Sequence, residues 1–335
     1  MPRELIITNG DSAANNLRNA GLCAGEGNLI MPWRDVLFEG PVPHTLSLPA
    51  LSNVRATYLT GRGWGAGRDN RIEFAERDAV LMNHAVFDVV TLWFEHDLSD
   101  MLQLLQILDF FAGEKRDRTS LRLVHTDRYL TKFGPDELRA MAADAKPVGT
   151  ARINQATEAW ARWREPDPRP WLALAHRPRL EIKHLWRAVT VSDGTFPLLN
   201  SGVSLPERFL LDDLEDGPRR PAQLFTSFTR WHDTHCGAYM GDWSFWSVID
   251  DLAFASEPLV TRAVPYRFGP HMDGPALQRY LQEPIALTDF GRDVLAGDAD
   301  HAETNRIDRW LGGTHITNDA LWRWDNHNHR VIPPR

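Results

Sequence analysis

Over residues 1–145, short apolar β-branched runs alternate with segments of helical periodicity, and this alternation is what most limits the fold. Leu5-Ile6-Ile7-Thr8 is the first run, broken by Asn9-Gly10-Asp11. Ser12 stands where it can cap a helix over residues 13–20, with Gly21 just past its end. Asn28-Leu29-Ile30-Met31 reads as a second strand stopped by Pro32, and the prolines and glycine of residues 32–43 mark an ordered loop. Helical stretches follow at 51–59 and 72–84. Residues 87–94 are nearly continuous in apolar and β-branched side chains, the signature of a buried central strand. Met101, Leu102, Leu104, Leu105, Ile107, Leu108 and Phe111 then give the spacing of an amphipathic helix, capped by Asp97 or Ser99. Leu121-Arg122-Leu123-Val124-His125 makes a fourth strand. Strands and helices in this order predict a mostly parallel, Rossmann-like sheet with flanking helices.

The second half has a different grain. Helical patterns dominate, at 153–163, 207–214, 222–230, 243–254 and 287–296. A further helix is expected at 305–311, closed by Gly312-Gly313, with a hairpin pairing 314–317 and 321–324 around Asn318-Asp319. Helices followed by a terminal hairpin outline a winged-helix-like region. The chain is thus expected to divide into an α/β domain at 1–145 and a mainly helical domain at 146–335; 335 residues suit two domains. Trp160 with Trp163, and Trp243 with Trp246, repeat an i, i+3 spacing that suits packing anchors, whereas Trp33 and Trp93 adjoin polar motifs and can wall a pocket.

Three stretches carry a resemblance. Thr8-Asn9-Gly10-Asp11-Ser12-Ala13-Ala14, then Trp33-Arg34-Asp35-Val36-Leu37-Phe38-Glu39-Gly40-Pro41-Val42-Pro43, then Leu92-Trp93-Phe94-Glu95-His96-Asp97-Leu98 with Gln103-Leu104-Leu105 resemble the bacterial family catalogued as domain of unknown function 1835. The likeness covers about residues 4–130, and the tail around Ile307-Asp308-Arg309-Trp310-Leu311-Gly312-Gly313 is similar to the C-terminal region that accompanies that family. The resemblance implies no particular activity, so function rests on the residues.

In open α/β sheets, ligands bind at the carboxyl ends of the strands. That rule gathers Asn9, Gly10, Asp11 and Ser12 from strand one, Arg34, Asp35 and Glu39 from the loop after strand two, Glu95, His96 and Asp97 from the central strand, and His125, Asp127 and Arg128 from the fourth. The set holds an acid or base in His96 and Glu95, with Asp97 as their catalytic partner. Arg34 and Arg128 would clamp an anion, and Asp11 would hold a sugar hydroxyl. A structural account is equally open: Asp11, Ser12 and Asp97 as helix caps, and Arg34 paired with Glu39 or Asp97 to pin the loop. Neither a GxGxxG nor a Walker loop is present, so no standard nucleotide site or cofactor is indicated. His232, His235 and Cys236 can hold a metal only if helical, and no metal site is assigned.

The chemistry expected is therefore binding or processing of a small polar or anionic metabolite, nucleotide- or sugar-like, at the sheet's strand ends. The competing reading is a regulatory protein whose winged-helix-like region contacts DNA or another protein. Net charge is −8, divided as −5 over residues 1–145 and −3 over the remainder, so neither half is basic and nucleic acid is disfavoured. With two cysteines, no run of apolar residues long enough for a bilayer and no leader-like N-terminus, a cytoplasmic location is expected.

Overall fold

The computed structural model describes residues 2–65, 67–116, 119–235 and 239–334. The chain forms two compact units. The first runs through Tyr58, resumes over Arg68–Val189 and takes in Gly312–Thr314. Its sheet has strands β1 (Glu4–Thr8), β2 (Leu29–Pro32), β3 (Val89–Phe94), β4 (Ser120–His125) and β5 (Lys146–Pro147), in the order β2-β1-β3-β4-β5. The first four are parallel and β5 is antiparallel to β4. The register brings Thr8 beside both Pro32 and Trp93, and Phe94 beside His125, so four strands end at one level. Because β2 and β3 flank β1 on opposite sides, the connections diverge between β1 and β3, the position at which open α/β sheets commonly bind ligands.

Helices α1 (Asp11–Asn19), α2 (Leu48–Gly61), α3 (Asn70–Met82), α4 (Leu98–Ala112), α5 (Pro135–Ala143), α6 (Thr150–Trp163), α7 (Arg169–Leu172) and α8 (Leu185–Asp193) accompany this sheet in sequence order. On one face Ile6, Trp93 and Val124 pack with Ala14 and Leu17 of α1 and Leu138 of α5. The amphipathic reading of α4 needs correction: its apolar residues and both its glutamines, Gln103 and Gln106, are buried, so the helix is enclosed rather than half-exposed. Its two glutamines hold the proline-rich loop. Gln103 Nε2 donates to the Asp35 carbonyl at 2.7 Å, and Trp33 Nε1 donates to Gln106 Oε1 at 2.9 Å. Trp33 and Trp93 are therefore fully buried core residues rather than pocket walls. α6 packs on α4, with Trp160 and Trp163 buried, which carries the first unit to Val189, beyond the division expected at residue 145.

The second unit comprises Leu59–Gly67, Thr190–Leu311 and the residues from His315 onward. It is mainly helical: α9 (Leu205–Asp213), α10 (Pro221–His235), α11 (Asp242–Ala253), α12 (Gly274–Gln282), α13 (Asp289–Ala296) and α14 (His301–Thr304) precede β6 (Asp308–Leu311), β7 (Thr314–Thr317), β8 (Arg323–Asp325) and β9 (Arg330–Ile332). The strands pair as β6 with β7 and β8 with β9, giving the helices-then-hairpins outline of a winged-helix-like region. The helix expected at 305–311 is instead β6, and the hairpin partner of 314–317 precedes it rather than follows it. Cross-strand contacts explain the shift: Trp310 stacks on His315 at 4.2 Å and His315 Nε2 meets Asp308 at 2.9 Å. Arg309 reaches back to Glu207, whose carboxylate also takes the Ser204 amide and hydroxyl. Burial would push that carboxyl up, but Arg309, His301 and the Ser204 bonds outweigh it and hold Glu207 near 2.

Gly291 lies inside α13, where glycine ordinarily costs helix stability. Its place follows from a backbone crossing: a Cβ there would sit 2.0 Å from the Leu259 carbonyl oxygen. Alanine would gain about 1 kcal/mol of helix propensity but would force two backbones apart, which costs about 1–3 kcal/mol or more. Gly291→Ala is expected to lower the urea midpoint. A midpoint unchanged or raised would show that the two backbones are not in contact.

Candidate functional site

β3 ends in Glu95, His96 and Asp97, and all three are buried. Asp97 begins α4, accepting the Asp100 N–H at 3.0 Å as an N-cap. Asp100, in the first turn of α4, turns back: its Oδ1 accepts the Glu95 N–H at 2.6 Å, and its Oδ2 accepts Asn9 Nδ2 at 2.8 Å. One wholly buried carboxylate thus ties the end of β1 to the end of β3. Glu95 Oε1 accepts the Leu130 amide from the segment after β4. His125 Nε2 stands 3.0 Å from the Glu95 carbonyl oxygen, so this nitrogen carries the proton.

Burial dominates the electrostatics here. Glu95, only 4% exposed, is pushed up to about 8, first by desolvation and then by Asp97, against the bonds from Leu130 and Asn9. Asp97 and Asp100 are also raised well above the usual carboxylate range, each by burial and then by a neighbouring carboxylate. Carboxylate oxygens of Glu95, Asp97 and Asp100 all lie within 4.8 Å of one another, a spacing that can also suit a hard cation. At neutral pH, Glu95 is a neutral acid.

The structure sorts the expected residues into three groups. Asn9, Glu95, His96 and Asp97 are brought together. Asp11, Arg34, Arg68 and Glu73 form a separate, partly exposed ion cluster: Arg34 donates to both Asp11 oxygens at 2.9 and 2.7 Å, and Arg68 lies 3.5 Å from Asp11. The Arg34 bonds and charge hold the Asp11 carboxyl low despite partial burial, so Arg34 is already occupied. Ser12 caps nothing; it is exposed within α1, which begins at Asp11 after Gly10.

The third group is structural. Asp35 and Arg55 are both fully buried and paired at 2.9 Å. Arg55 also donates to the carbonyls of Val36, Glu39 and Pro41, so Asp35 and Glu39 belong to the clamp on the proline loop rather than to a ligand surface. Arg128 is exposed, pairs with Glu137 at 3.0 Å and lies over the Phe133 ring. In the His232, His235, Cys236 set, His232 is buried among Phe228, Trp231 and Tyr239; Cys236 and the His235 side chain lie outside the described residues.

Sequence reading missed three participants. Asp100 looks like an ordinary first-turn acid, and only its reach back to Glu95 shows otherwise. Tyr129 places its ring 5.3 Å from that of His96. His184, about ninety residues further on, brings its ring to 5.9 Å from His96 and 5.1 Å from His125. No local motif announces His184; the run of Arg and Lys around it was the sole cue.

No family model matches this chain, and no curated protein does. Among solved structures, the chain is similar to the Aeropyrum pernix Orc1 protein in complex with DNA, at 12% identity over 89% of this chain and 87% of that one, with a TM-score of 0.19. At that score the likeness carries no weight for fold or function. Among the described residues, no helix is long and apolar enough to cross a membrane.

Two outcomes test the electrostatics. Arg55→Met strands the buried Asp35 charge and should cost about 3–5 kcal/mol in urea unfolding, with the double variant Arg55→Met, Asp35→Asn recovering part of it. Glu95 binds its proton more tightly folded than unfolded. Its contribution is therefore fully present below about 4.5 and is lost as pH rises through about 8. Stability should fall across that window, and Glu95→Gln should flatten the fall; an unchanged slope would place the raised group elsewhere.

Proposed function

We propose that this protein binds a small, polar, hydroxyl-bearing metabolite, sugar- or nucleoside-like, at the carboxyl ends of β1 and β3, and acts on it by proton transfer. The observation that carries the reading is Glu95: a buried carboxyl, neutral at pH 7, at the strand ends where the sheet's connections diverge. Such a group can donate a proton to a leaving or developing oxyanion. His96, beside it, takes the complementary role of base, and Asn9 orients Glu95 and offers an amide to the ligand. Asp97 acts through α4, as its cap.

Two further features support this reading. Gly10 has an extended backbone, and a Cβ added there would meet no protein atom within 4 Å, so the fold does not itself require glycine. A ligand approaching the backbone supplies a reason. The motifs that resemble the domain of unknown function 1835 family, of which we take the first unit to be a member, also contribute Asn9, Gly10, Glu95, His96 and Asp97.

Thermal unfolding against a panel of nucleosides, sugars and their derivatives tests the proposal. A true ligand at 100 times its Kd should stabilise by about 2.7 kcal/mol. Its effect should weaken as pH passes about 8 in the native chain but not in Glu95→Gln, which keeps binding and loses turnover. A ligand whose stabilisation of the native chain is independent of pH and survives Asn9→Ala would sink the assignment.

A further inference from the structure

The cations first expected to hold an anion are occupied, Arg34 by Asp11 and Arg128 by Glu137. Elsewhere in the first unit, Arg177 pairs with Glu158 and Arg179 with Glu181. Several cations depart from this pattern, and three with few or no carboxylate contacts, Arg152, Lys183 and Arg187, lie around His125 and His184. Arg152 spends its Nε on the Glu181 carbonyl oxygen and makes no ion pair among the described residues. Lys183 is exposed, and its sole carboxylate neighbour among the described residues, Asp127, is 4.0 Å away. Arg187 donates its backbone N–H to the His184 carbonyl, and its guanidinium has no carboxylate partner among the described residues.

These three cations adjoin the acid site through two imidazoles. His125 donates to the Glu95 carbonyl, and its ring lies edge-on to that of His184 at 5.1 Å. His184 sits between Lys183 and Arg187, with a left-handed backbone (φ +69°) unusual for a side chain of its size and a buried Nε2 that has no hydrogen-bond partner. The positive field registers on both rings. Burial first, and then neighbouring charges that include Lys183 and Arg152, push His125 down to about 3. Burial, Lys183 and Arg187 push His184 down to about 4. Both rings are neutral at pH 7, so they add no charge but can exchange hydrogen bonds with a ligand.

We propose that Arg152, Lys183, His184 and Arg187 form a phosphate subsite beside Glu95, and that the metabolite is a phosphorylated one. Guanidinium forks and an ammonium match the oxygens of a phosphate monoester, and the orphaned His184 Nε2 would gain the partner it lacks. This deepens the reading of the Glu95 site and rests on it for the position of the ligand's non-phosphate part. Trp186, in the same segment, is 54% exposed and gives a base or sugar ring a surface to lie against.

The test is calorimetric titration of the full chain with inorganic phosphate, ribose 5-phosphate and a nucleoside 5′-monophosphate, alongside ribose and the nucleoside. The phosphorylated compounds should bind more tightly than phosphate or the unphosphorylated partner, with affinity falling as salt rises. Lys183→Gln and Arg187→Gln should each weaken binding tenfold or more, while Arg128→Gln leaves it unchanged; Lys183 is exposed, so its variant folds even if others do not. Equal binding to all three variants would overturn the subsite, as would phosphate binding with no gain from the attached sugar. If only unphosphorylated compounds bind, in a manner that Asn9→Ala weakens, the subsite fails and the Glu95 site stands. If nucleotides fail but duplex DNA binding is lost in Lys183→Gln and Arg187→Gln, the small-molecule assignment is overturned.

Discussion

Asp100 joins the end of β1, the end of β3 and α4 through one buried carboxylate. Its two oxygens accept from the Glu95 amide and from Asn9, while its own amide is capped by Asp97. The end of β1, the end of β3 and the first turn of α4 are thereby fixed in one geometry. Because the group is wholly buried, that geometry comes with an electrostatic consequence: three acidic side chains crowd one desolvated space, and burial with their mutual repulsion raises their proton affinity. The chemistry ascribed to Glu95 is therefore a product of how the strand ends are tied.

The same economy explains why charged residues of similar sequence appearance have opposite uses. Asp35 and Glu95 both follow a strand. Asp35 meets a fully buried arginine that also collects the carbonyls of Val36, Glu39 and Pro41, so its charge is neutralised and its role is to hold a loop. Glu95 meets amides and other carboxylates, so its charge is suppressed and its proton becomes available. The partner decides the role, and the partner of Asp35 lies twenty residues away on α2.

This marks how far the sequence was legible. Strand periodicity placed β1 to β4 within a residue or two, because buried parallel strands have an apolar signature that owes little to tertiary context. β5 has two residues, one of them a proline, too few to show a period. Glycines misled at 312–313, where a turn between strands and a helix end make the same demand on the backbone; stacking of Trp310 on His315, which settles the matter, cannot be read along the chain. The strand-end rule gathered Asn9, Glu95, His96 and Asp97, which the fold also brings close together. It could not separate them from Arg34 and Arg128, whose occupation by Asp11 and Glu137 depends on side-chain reach. His184 was invisible because it arrives from a segment with no strand end to announce it.

Net charge was similarly misleading as a guide to ligands. A chain of −8 with no basic half argues against a nucleic-acid surface, since such a surface must neutralise many phosphates at once. A single phosphate asks for much less: two or three cations freed from local carboxylates, in a place where burial strengthens their field. Many arginines of the first unit are paired with carboxylates, and an average over the whole unit hides where the others lie. Charge pairing, counted cation by cation, is thus the more informative quantity. In this protein it sets the closed ion cluster of Asp11 and Arg34 apart from the rim of Arg152, Lys183 and Arg187 proposed as the phosphate subsite.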